Sequence, residues 1–313
     1  MSVIAHDRLL TDLGATFRPQ REWAEGPGLY LIAGHFLTGI GAGTWLFALL
    51  FDVVPGLVVA IAAVALGGLA HLKFLGRPAR FWRMVRARHS WIARGFIGMN
   101  VFVAGAVLAA LPRIAPGMPW TADGAAGRFF LAVSLVGMAI LMVYKGNVYA
   151  ASRGVPFWNS PVLPVLYIAY ALRGGVAVLL VLFPFVATRA SADFVALIEL
   201  WTAVSAAVMV AFYLAVIRGA HVAARRSVAE LVRGRLAPPF FLGTVGAGLV
   251  VPIVVGLAGL IYPLSLTILA LVGALSLVGD FFAKLTIAKA GFYVPVVPAG
   301  MSTWYGSASW WRR

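Results

Sequence analysis

The chain has 313 residues, of which 62% are hydrophobic and 11% are charged, and its mean hydropathy is +0.95. Soluble globular chains carry about 25% charged residues, so this composition excludes that class and predicts a protein that sits in a lipid bilayer. The formal net charge of +15 falls in short loops beside apolar runs. Membrane topology and anionic lipid explain it there, so nucleic acid is not an expected partner. The chain has no cysteine, which excludes an iron–sulfur cluster held by this chain alone.

Eight apolar runs of roughly twenty residues predict eight transmembrane helices, because a hydrocarbon core of ~30 Å requires about twenty helical residues. The runs begin at Gly28, Pro55, Trp91, Arg128, Val162, Phe194, Phe240 and Leu264. We therefore expect an all-α integral membrane protein folded as a helical bundle. Its predicted parts are a cytoplasmic N-terminal segment (1–26), an eight-helix transmembrane domain (27–290) and a cytoplasmic C-terminal tail (291–313). The N-terminal segment lacks an early apolar stretch, so a cleavable signal peptide is not expected.

The basic residues mark one side of the predicted bundle. If successive runs cross the membrane in alternate directions, 21 of the 25 Lys and Arg residues fall on one face. The other four are Arg113, Arg128 and Arg189 in loops of the opposite face, and Arg173 inside the fifth run. Cytoplasmic loops carry the excess of Lys and Arg. The sequence thus predicts a multi-pass protein of a bacterial or archaeal inner membrane, with both termini in the cytoplasm.

Two polar side chains share one depth in the predicted bundle. His35 lies about seven residues into the first run and Tyr144 about six residues from the end of the fourth, so at ~1.5 Å per residue both sit ~10 Å below the basic face. An imidazole and a phenol at one depth can hydrogen-bond the two carbonyl oxygens of a quinone and relay its protons. We therefore predict a quinone site at His35 and Tyr144, with Asn147 and Arg77 as further contacts. An interhelical hydrogen bond that serves packing alone is the alternative.

Other polar residues of the runs have simpler interpretations. Asp52, Asp193 and Glu199 fall near helix ends and are expected at the membrane interface. Asp280 and Lys284 are one helical turn apart, so a local ion pair between them is expected. Arg173 lies near the middle of the fifth run, where an unpaired cation is costly. It needs an acidic or carbonyl partner and can belong to a proton or water path.

Two other functional classes compete with a quinone-linked subunit. His35 and His71 lie in the same half of neighbouring runs, as the two axial ligands of one b-type haem would. Against a haem cytochrome anchor, His71 begins a polar exit sequence, and a second histidine pair at the other depth is missing from the sequence. A secondary transporter would require broken helices around a midplane site built from inverted repeats. Both classes stay open as alternatives.

Four segments, in this order along the chain, resemble one family of membrane subunits. They are GHFLTGIGAG in the first run, HLKFLGRPARFWRMVRARHSWIARGF after the second, VYKGNVYAASRGVPFWNSPVLPVLY after the fourth and FFLGTVGAGLVVPIV in the seventh. In these segments the chain is similar to the NrfD, polysulfide reductase and DMSO reductase membrane-anchor proteins. The order of the segments and the eight runs extend the resemblance over most of the chain.

The resemblance implies a subunit without haem or iron–sulfur cluster that exchanges electrons with ubiquinone or menaquinone. Its implied partners are a ferredoxin-like iron–sulfur subunit and a molybdopterin or tungstopterin catalytic subunit. It also implies that a first-helix histidine and a fourth-helix tyrosine bind the quinone, and His35 and Tyr144 match these positions. In the family, the partners lie on the side of the loop between helices two and three. Here that loop is basic, so we expect the partners on the cytoplasmic face, as in relatives that resemble phenylacetyl-CoA:acceptor oxidoreductase or membrane-bound sulfite dehydrogenase.

The basic loop from Arg77 to Arg94 is the expected docking surface for the iron–sulfur subunit, with help from residues 218–235. The loop holds six arginines interleaved with Phe81, Trp82 and Trp91. Arginine and aromatic side chains are enriched at protein interfaces, because they combine planar hydrogen bonding with a large buried area. A collar for lipid headgroups is the alternative interpretation.

Overall fold

The computed structural model describes residues 17–87, 89–115, 117–186 and 191–294. Within these ranges eight helices are long and apolar enough to cross a membrane, which confirms the predicted all-α bundle. Seven spans are α1 (Gly28–Leu50), α2 (Val54–Phe74), α3 (Trp91–Ile114), α4 (Ala125–Ala150), α5 (Val162–Leu182), α6 (Ala192–Ala220) and α9 (Leu266–Lys289). The remaining span, α8, is a π-helix (Pro239–Val250) continued by an α-helix (Val251–Gly259), and α7 (Val222–Arg233) is a shorter polar helix before it.

The spans start close to where the sequence predicts, and two of them have a serine cap. Each span begins within three residues of its predicted start. The hydroxyl oxygens of Ser191 and Ser265 accept hydrogen bonds from the backbone N–H groups of Phe194 and Ile268, at 3.4 and 3.3 Å. Each bond satisfies one of the donors that a helix start leaves free. Hydrocarbon offers no such partners, which is why the spans adopt a structure whose remaining backbone bonds are internal.

Glycine contacts bring the central helices together. A Cβ atom at Gly43 would lie 1.9 Å from the Ala171 carbonyl oxygen, and one at Gly175 would lie 2.1 Å from the carbonyl carbon of Gly43. The backbones of α1 and α5 therefore touch directly, as small residues allow in lipid. These two helices are also the most buried spans, because 72% and 67% of the residues in their apolar 18-residue stretches are buried. The core of the bundle is thus built around α1 and α5.

The described ends of the chain meet at one end of the bundle. Gln20 N–H donates to the Gly291 carbonyl at 2.8 Å, and Tyr293 N–H donates to the Arg18 carbonyl at 2.9 Å. Val294 N–H donates to the carbonyl of Gly154, in the connection between α4 and α5, at 3.1 Å. We call this end, where α1, α3, α5 and α8 begin, the basic face, and the other end the opposite face.

Two connections of the basic face, residues 75–90 and 221–238, contain helices. Residues Pro78–Ala87 form a 3₁₀ helix between α2 and α3. Helix α7 is amphipathic: it buries Ala224, Val228 and Leu231 and exposes its arginines. The guanidinium of Arg226 lies over the Phe292 ring, 5.2 Å from its centre. Both helices lie outside the spans, so they add ordered surface to the basic face.

Candidate functional site

An apolar cavity of about 380 Å³ lies among α1, α2, α3 and α4, in the half of the bundle next to the basic face. Its walls are mostly aliphatic and aromatic, and the 3₁₀ helix contributes Phe81 and Met84. Small-molecule sites in proteins measure roughly 300–1,000 Å³ and are mostly apolar with a few polar groups. The polar side chains here are His35, His71, Tyr144 and Asn100, and the Asn100 amide already donates to the Phe96 carbonyl at 2.8 Å.

Tyr144 and His71 form the first polar pair. The Tyr144 hydroxyl lies 3.4 Å from Nε2 of His71, and Nδ1 of His71 lies 2.6 Å from the carbonyl oxygen of Gly67. A carbonyl only accepts hydrogen bonds, so Nδ1 carries the ring proton and Nε2 is an acceptor. Tyr144 is therefore the donor of the pair.

His35 belongs to a second pair beside the first. Its ring centre lies 5.2 Å from that of His71 and 6.2 Å from that of Tyr144. Its Nδ1 lies 3.4 Å from the hydroxyl of Tyr149, and the His35 side chain is almost completely buried. Aromatic contacts hold Tyr149 against Trp23 and Trp158. Four side chains that can exchange protons thus lie together, and three of them, His35, His71 and Tyr144, line the cavity.

Two glycines make room for these rings. A Cβ atom at Gly34 would lie 2.4 Å from Nδ1 of His71, and one at Gly95 would lie 2.2 Å from Cδ2 of Tyr144. No real Cβ atom tolerates such contacts, so each glycine lets a neighbouring helix bring its ring close. In the sequence, a glycine next to a polar residue of a span, such as Gly34 beside His35, was the signal that could have pointed to this site.

Of the four residues predicted to contact the quinone, only two lie at the cavity. His35 and Tyr144 both line the cavity, whereas the lining does not include Asn147 or Arg77. Asn147 is half-buried, and its side-chain amide donates to the Val143 carbonyl one turn earlier at 2.9 Å. Arg77 is exposed before the 3₁₀ helix. His71, which lines the cavity, and Tyr149, which contacts His35, were not predicted as site residues, because helix tilt and packing decide which side chains meet there.

A bis-histidine haem does not fit His35 and His71. Both ring nitrogens of His71 have protein partners, the Gly67 carbonyl and the Tyr144 hydroxyl. A haem iron would have to lie between two axial nitrogens, yet the two imidazole rings are in direct contact.

A cluster of charged side chains is buried at mid-membrane depth, with Arg173 at its centre. Its Nη1 donates to Oδ1 of Asp280 at 2.7 Å, and its Nη2 donates to Oγ of Ser276 at 2.8 Å and also to the Gly248 carbonyl. Its Nε lies 3.3 Å from Oε1 of Glu199, and Ser276 donates to the same oxygen at 2.6 Å. Arg173 and Asp280 are completely buried and Glu199 is 1% exposed.

Two expectations for these residues are wrong. Glu199 does not lie at the interface. Its carboxylate is buried and lies 3.3 Å from Nε of Arg173, a residue of another helix. Asp280 pairs with Arg173 and not with Lys284, although Lys284 is one turn away. Asp52 and Asp193 are exposed, as expected for interfacial residues. The prediction that Arg173 has an acidic partner is confirmed, since it pairs with Asp280 and Glu199.

Two lysines are also buried, between the charged cluster and the cavity. Lys145 is completely buried and its Nζ donates to the Thr38 hydroxyl at 3.3 Å. Lys284 is 3% exposed, and its Nζ lies 5.1 Å from the centre of the Tyr170 ring. A Cβ atom at Gly39 would lie 3.4 Å from Nζ of Lys145 and 3.8 Å from Cε of Lys284. Both lysines therefore approach the same bare stretch of α1.

The fold and the cavity define a class: a membrane subunit of eight spans with an apolar, histidine- and tyrosine-bearing site near one face. The chain belongs to the family described as polysulphide reductase, NrfD, whose model matches residues 27–296. It is also 32% identical, over 126 residues, to Protein NrfD of Escherichia coli (strain K12). That alignment covers 38% of this chain and 39% of the E. coli protein, so it spans less than half of either. The family resemblance of the four segments is confirmed.

Proposed function

We propose that this chain is the quinone-interacting membrane anchor of an oxidoreductase complex. In that complex it passes electrons between the quinone pool and an iron–sulfur subunit, which serves a molybdenum or tungsten bis-pterin catalytic subunit. The meeting of Tyr144, His71 and His35 in the wall of an apolar cavity carries the proposal. The apolar walls suit an isoprenoid tail, and the three polar side chains suit the two oxygens of a quinone ring. Family membership supports the same function.

A quinone in this cavity would supply two-electron, two-proton redox chemistry. In the oxidation direction the Tyr144 oxygen accepts the proton of a ring hydroxyl while its own proton passes to Nε2 of His71. Nε2 is free to accept because the Nδ1 proton is held by the Gly67 carbonyl. In the reduction direction the same two atoms return the proton. Such positioned acid–base groups contribute roughly 10²- to 10⁴-fold to a rate.

His35 serves the second ring oxygen. The Tyr149 hydroxyl occupies Nδ1 of His35 at 3.4 Å, so Nε2 is the nitrogen left to exchange a proton with a ligand. Tyr149 is itself locked between Trp23 and Trp158. The imidazole is thereby held in one orientation, which is the condition for efficient proton transfer at a fixed oxygen.

The 3₁₀ helix supports docking of the iron–sulfur subunit on the basic face. Trp82 is 50% exposed and Val85 is 51% exposed, next to the exposed Arg80 and Arg83. The same helix lines the cavity through Phe81 and Met84. A partner seated on it would therefore have only one layer of side chains between itself and the cavity. By the positive-inside rule the basic face would lie in the cytoplasm, so we propose that the partners and both termini lie there.

The test is electron transfer in native membranes. A quinol analogue is added, and reduction of the iron–sulfur clusters is followed by electron paramagnetic resonance in wild type, His35→Ala and Tyr144→Phe. Both variants should lose roughly 10²-fold or more in rate, while chain levels and partner attachment stay unchanged. Tyr262→Phe, which alters an exposed tyrosine near the opposite face, is the matched control and should behave as wild type.

Extraction of bound quinone from the purified complex gives a second readout. Wild type should retain quinone, and His35→Ala should retain less. Normal cluster reduction in both cavity variants, or quinone located in the half of the bundle next to the opposite face, would refute the proposal.

A further inference from the structure

The cavity among α1, α2, α3 and α4 is too small for a complete lipid-soluble quinone. Its volume of about 380 Å³ lies near the lower end of the range that buries one drug-sized ligand. Such a space takes a quinone ring and the first part of an isoprenoid tail. The rest of a long tail has to leave the cavity, and the packing of the four helices decides where it can do so.

The boundary between α1 and α2 is closed by contact between backbones. A Cβ atom at Gly41 of α1 would lie 2.9 Å from the Ala60 carbonyl oxygen of α2. One at Gly67 of α2 would lie 3.0 Å from the backbone nitrogen of Thr38 on α1. Small residues let helices approach this closely in lipid, so a tail cannot pass here unless a whole helix moves.

The two boundaries of α4 are closed as well. A Cβ atom at Gly105 of α3 would lie 2.5 Å from the backbone nitrogen of Ser134 on α4, and one at Gly137 of α4 would lie 2.3 Å from that of Phe102 on α3. Towards α1, the indole N–H of Trp45 donates to the Ser134 hydroxyl at 3.1 Å. Backbone contact and a buried hydrogen bond therefore hold α4 in place on both sides.

The boundary between α2 and α3 is closed by a flexible side chain instead. A Cβ atom at Gly68 of α2 would lie 3.0 Å from Sδ and 3.4 Å from Cε of Met99 on α3. Among the described residues, these are the only atoms of another helix within 4 Å of that position. Methionine is unbranched and has three rotatable side-chain bonds, so Met99 can turn aside while both backbones stay where they are.

Side chains on both sides of this boundary line the cavity and also lie on the outer surface. Ala65 and Leu69 of α2 and Asn100 of α3 are all exposed, Leu69 to 61%. Ala65 and Leu69 are four residues apart, so they share one side of α2. Lipid covers the outer surface of a span. The cavity therefore opens towards the bilayer between α2 and α3.

The opening lies in the half of the bilayer next to the basic face. Leu69 and Ala65 are five and nine residues before the end of α2, and Asn100 is nine residues after the start of α3. At ~1.5 Å per residue the opening spans depths of ~8 to ~14 Å. Half of a hydrocarbon core is about 15 Å, so the whole opening faces lipid tails of one leaflet.

The end of the cavity towards the water is covered by the 3₁₀ helix. Phe81 and Met84 of that helix line the cavity. The Phe81 ring also packs against the ring of Phe96 on α3, with 5.7 Å between their centres. A ligand from the aqueous side has to displace this aromatic contact, whereas a ligand from the lipid passes Met99.

We propose that the boundary between α2 and α3 is the portal of the site, through which a long-tailed quinone enters from the leaflet next to the basic face. The ring moves inward past Met99, and the tail stays in the portal, between Ala65 and Asn100, while the ring is bound. This inference rests on the quinone function proposed above and adds the substrate class. The site serves lipid-soluble quinones with long isoprenoid tails, in preference to short quinones dissolved in water.

The first experiment fills the portal from its lipid side. Ala65→Trp is tested in the whole complex in native membranes, with a long-tailed quinol and with a tail-less quinol. The added indole occupies the space of the tail, so the concentration of long-tailed quinol for half-maximal cluster reduction should rise by roughly tenfold or more. The rise should be smaller for the tail-less quinol. Leu66→Trp is the matched control: Leu66 is the next residue of α2, is 55% exposed and does not line the cavity, so this variant should behave as wild type.

Photolabelling locates the tail without reference to turnover. A quinone with a photoreactive group on its tail is bound to the purified complex and irradiated, and the labelled peptides are sequenced. The label should fall on α2 and α3 around Ala65 and Asn100. Label confined to other helices, or a normal response of Ala65→Trp to the long-tailed quinol, refutes the portal while the quinone function stands. If wild type oxidises neither quinol and takes up no label, the proposed function itself fails.

Discussion

The phenol of Tyr144 and the imidazole of His71 are 3.4 Å apart, and the Gly67 carbonyl bonds the far side of the same imidazole at 2.6 Å. The carbonyl fixes the position of the ring proton, so His71 faces Tyr144 as an acceptor. A histidine near the membrane interface thereby gains a defined chemical task. It sets the direction in which the Tyr144 hydroxyl proton points and receives that proton in the proposed relay, so it acts on the quinone through Tyr144.

Replacing His71 should slow quinol oxidation without preventing assembly. His71→Leu removes the acceptor behind Tyr144 and should lower the rate of cluster reduction by roughly 10²-fold. His71→Gln should retain more activity, because an amide oxygen can accept the same hydrogen bond. Stopped-flow reduction across a pH series measures this, with the exposed His89→Leu as control. Equal rates for the Leu and Gln variants would argue against a relay role.

Gly95→Ala should damage the site through space alone. The added Cβ would lie 2.2 Å from the Tyr144 ring, so the ring has to move or α3 has to shift, at a cost of about 1–3 kcal/mol. We expect weaker quinone binding, measured as the quinol concentration for half-maximal rate. Gly76→Ala lies in open space near the same face and should change nothing. An unaffected Gly95→Ala complex would mean that Tyr144 does not contact the bound ring.

The buried pair of Arg173 and Asp280 should matter far more for stability than the exposed pair of Arg113 and Asp52. Arg173→Leu leaves two carboxylates buried without their cation, and breaking a buried pair in this way costs about 3–5 kcal/mol. Arg113→Leu removes a surface pair worth about 0–1 kcal/mol. Thermal unfolding of the detergent-solubilised chain should show a large loss of stability for the first variant and almost none for the second. Similar melting temperatures for both would contradict this account.

Charge reversal on the 3₁₀ helix should detach the soluble subunits. In Arg80→Glu/Arg83→Glu the exposed face beside Trp82 changes sign, so an iron–sulfur subunit docked there should appear in the soluble fraction with its dye-linked activity intact. Arg113→Glu, near the opposite face, is the control and should leave the complex on the membrane. Retention of the complex by the double variant, with cross-links to the opposite face, would reverse the assigned docking side.

The sidedness of the bundle can be tested with reporter fusions. The basic loops predict cytoplasmic reporters within Arg225–Arg235 and external reporters at Gly117. Two further fusion points, after Arg313 and at Arg189, lie outside the described residues and carry the same cytoplasmic and external predictions. Alkaline phosphatase activity from a fusion within Arg225–Arg235 would overturn the orientation.

The sequence by itself determined the class of protein, the eight spans and the family. Apolar length fixes a span whatever it packs against, because lipid leaves a backbone only one way to satisfy its hydrogen bonds. The matching depth of His35 and Tyr144 could also be predicted, since helical rise is constant. Which side chains meet at that depth was decided only by the tertiary structure. Helix rotation turned Asn147 away and His71 inward, and contact between α5, α6 and α9 paired Arg173 with Glu199 and Asp280. Such pairings join residues of different helices and depend on how those helices pack, so the spacing of residues within one helix does not predict them.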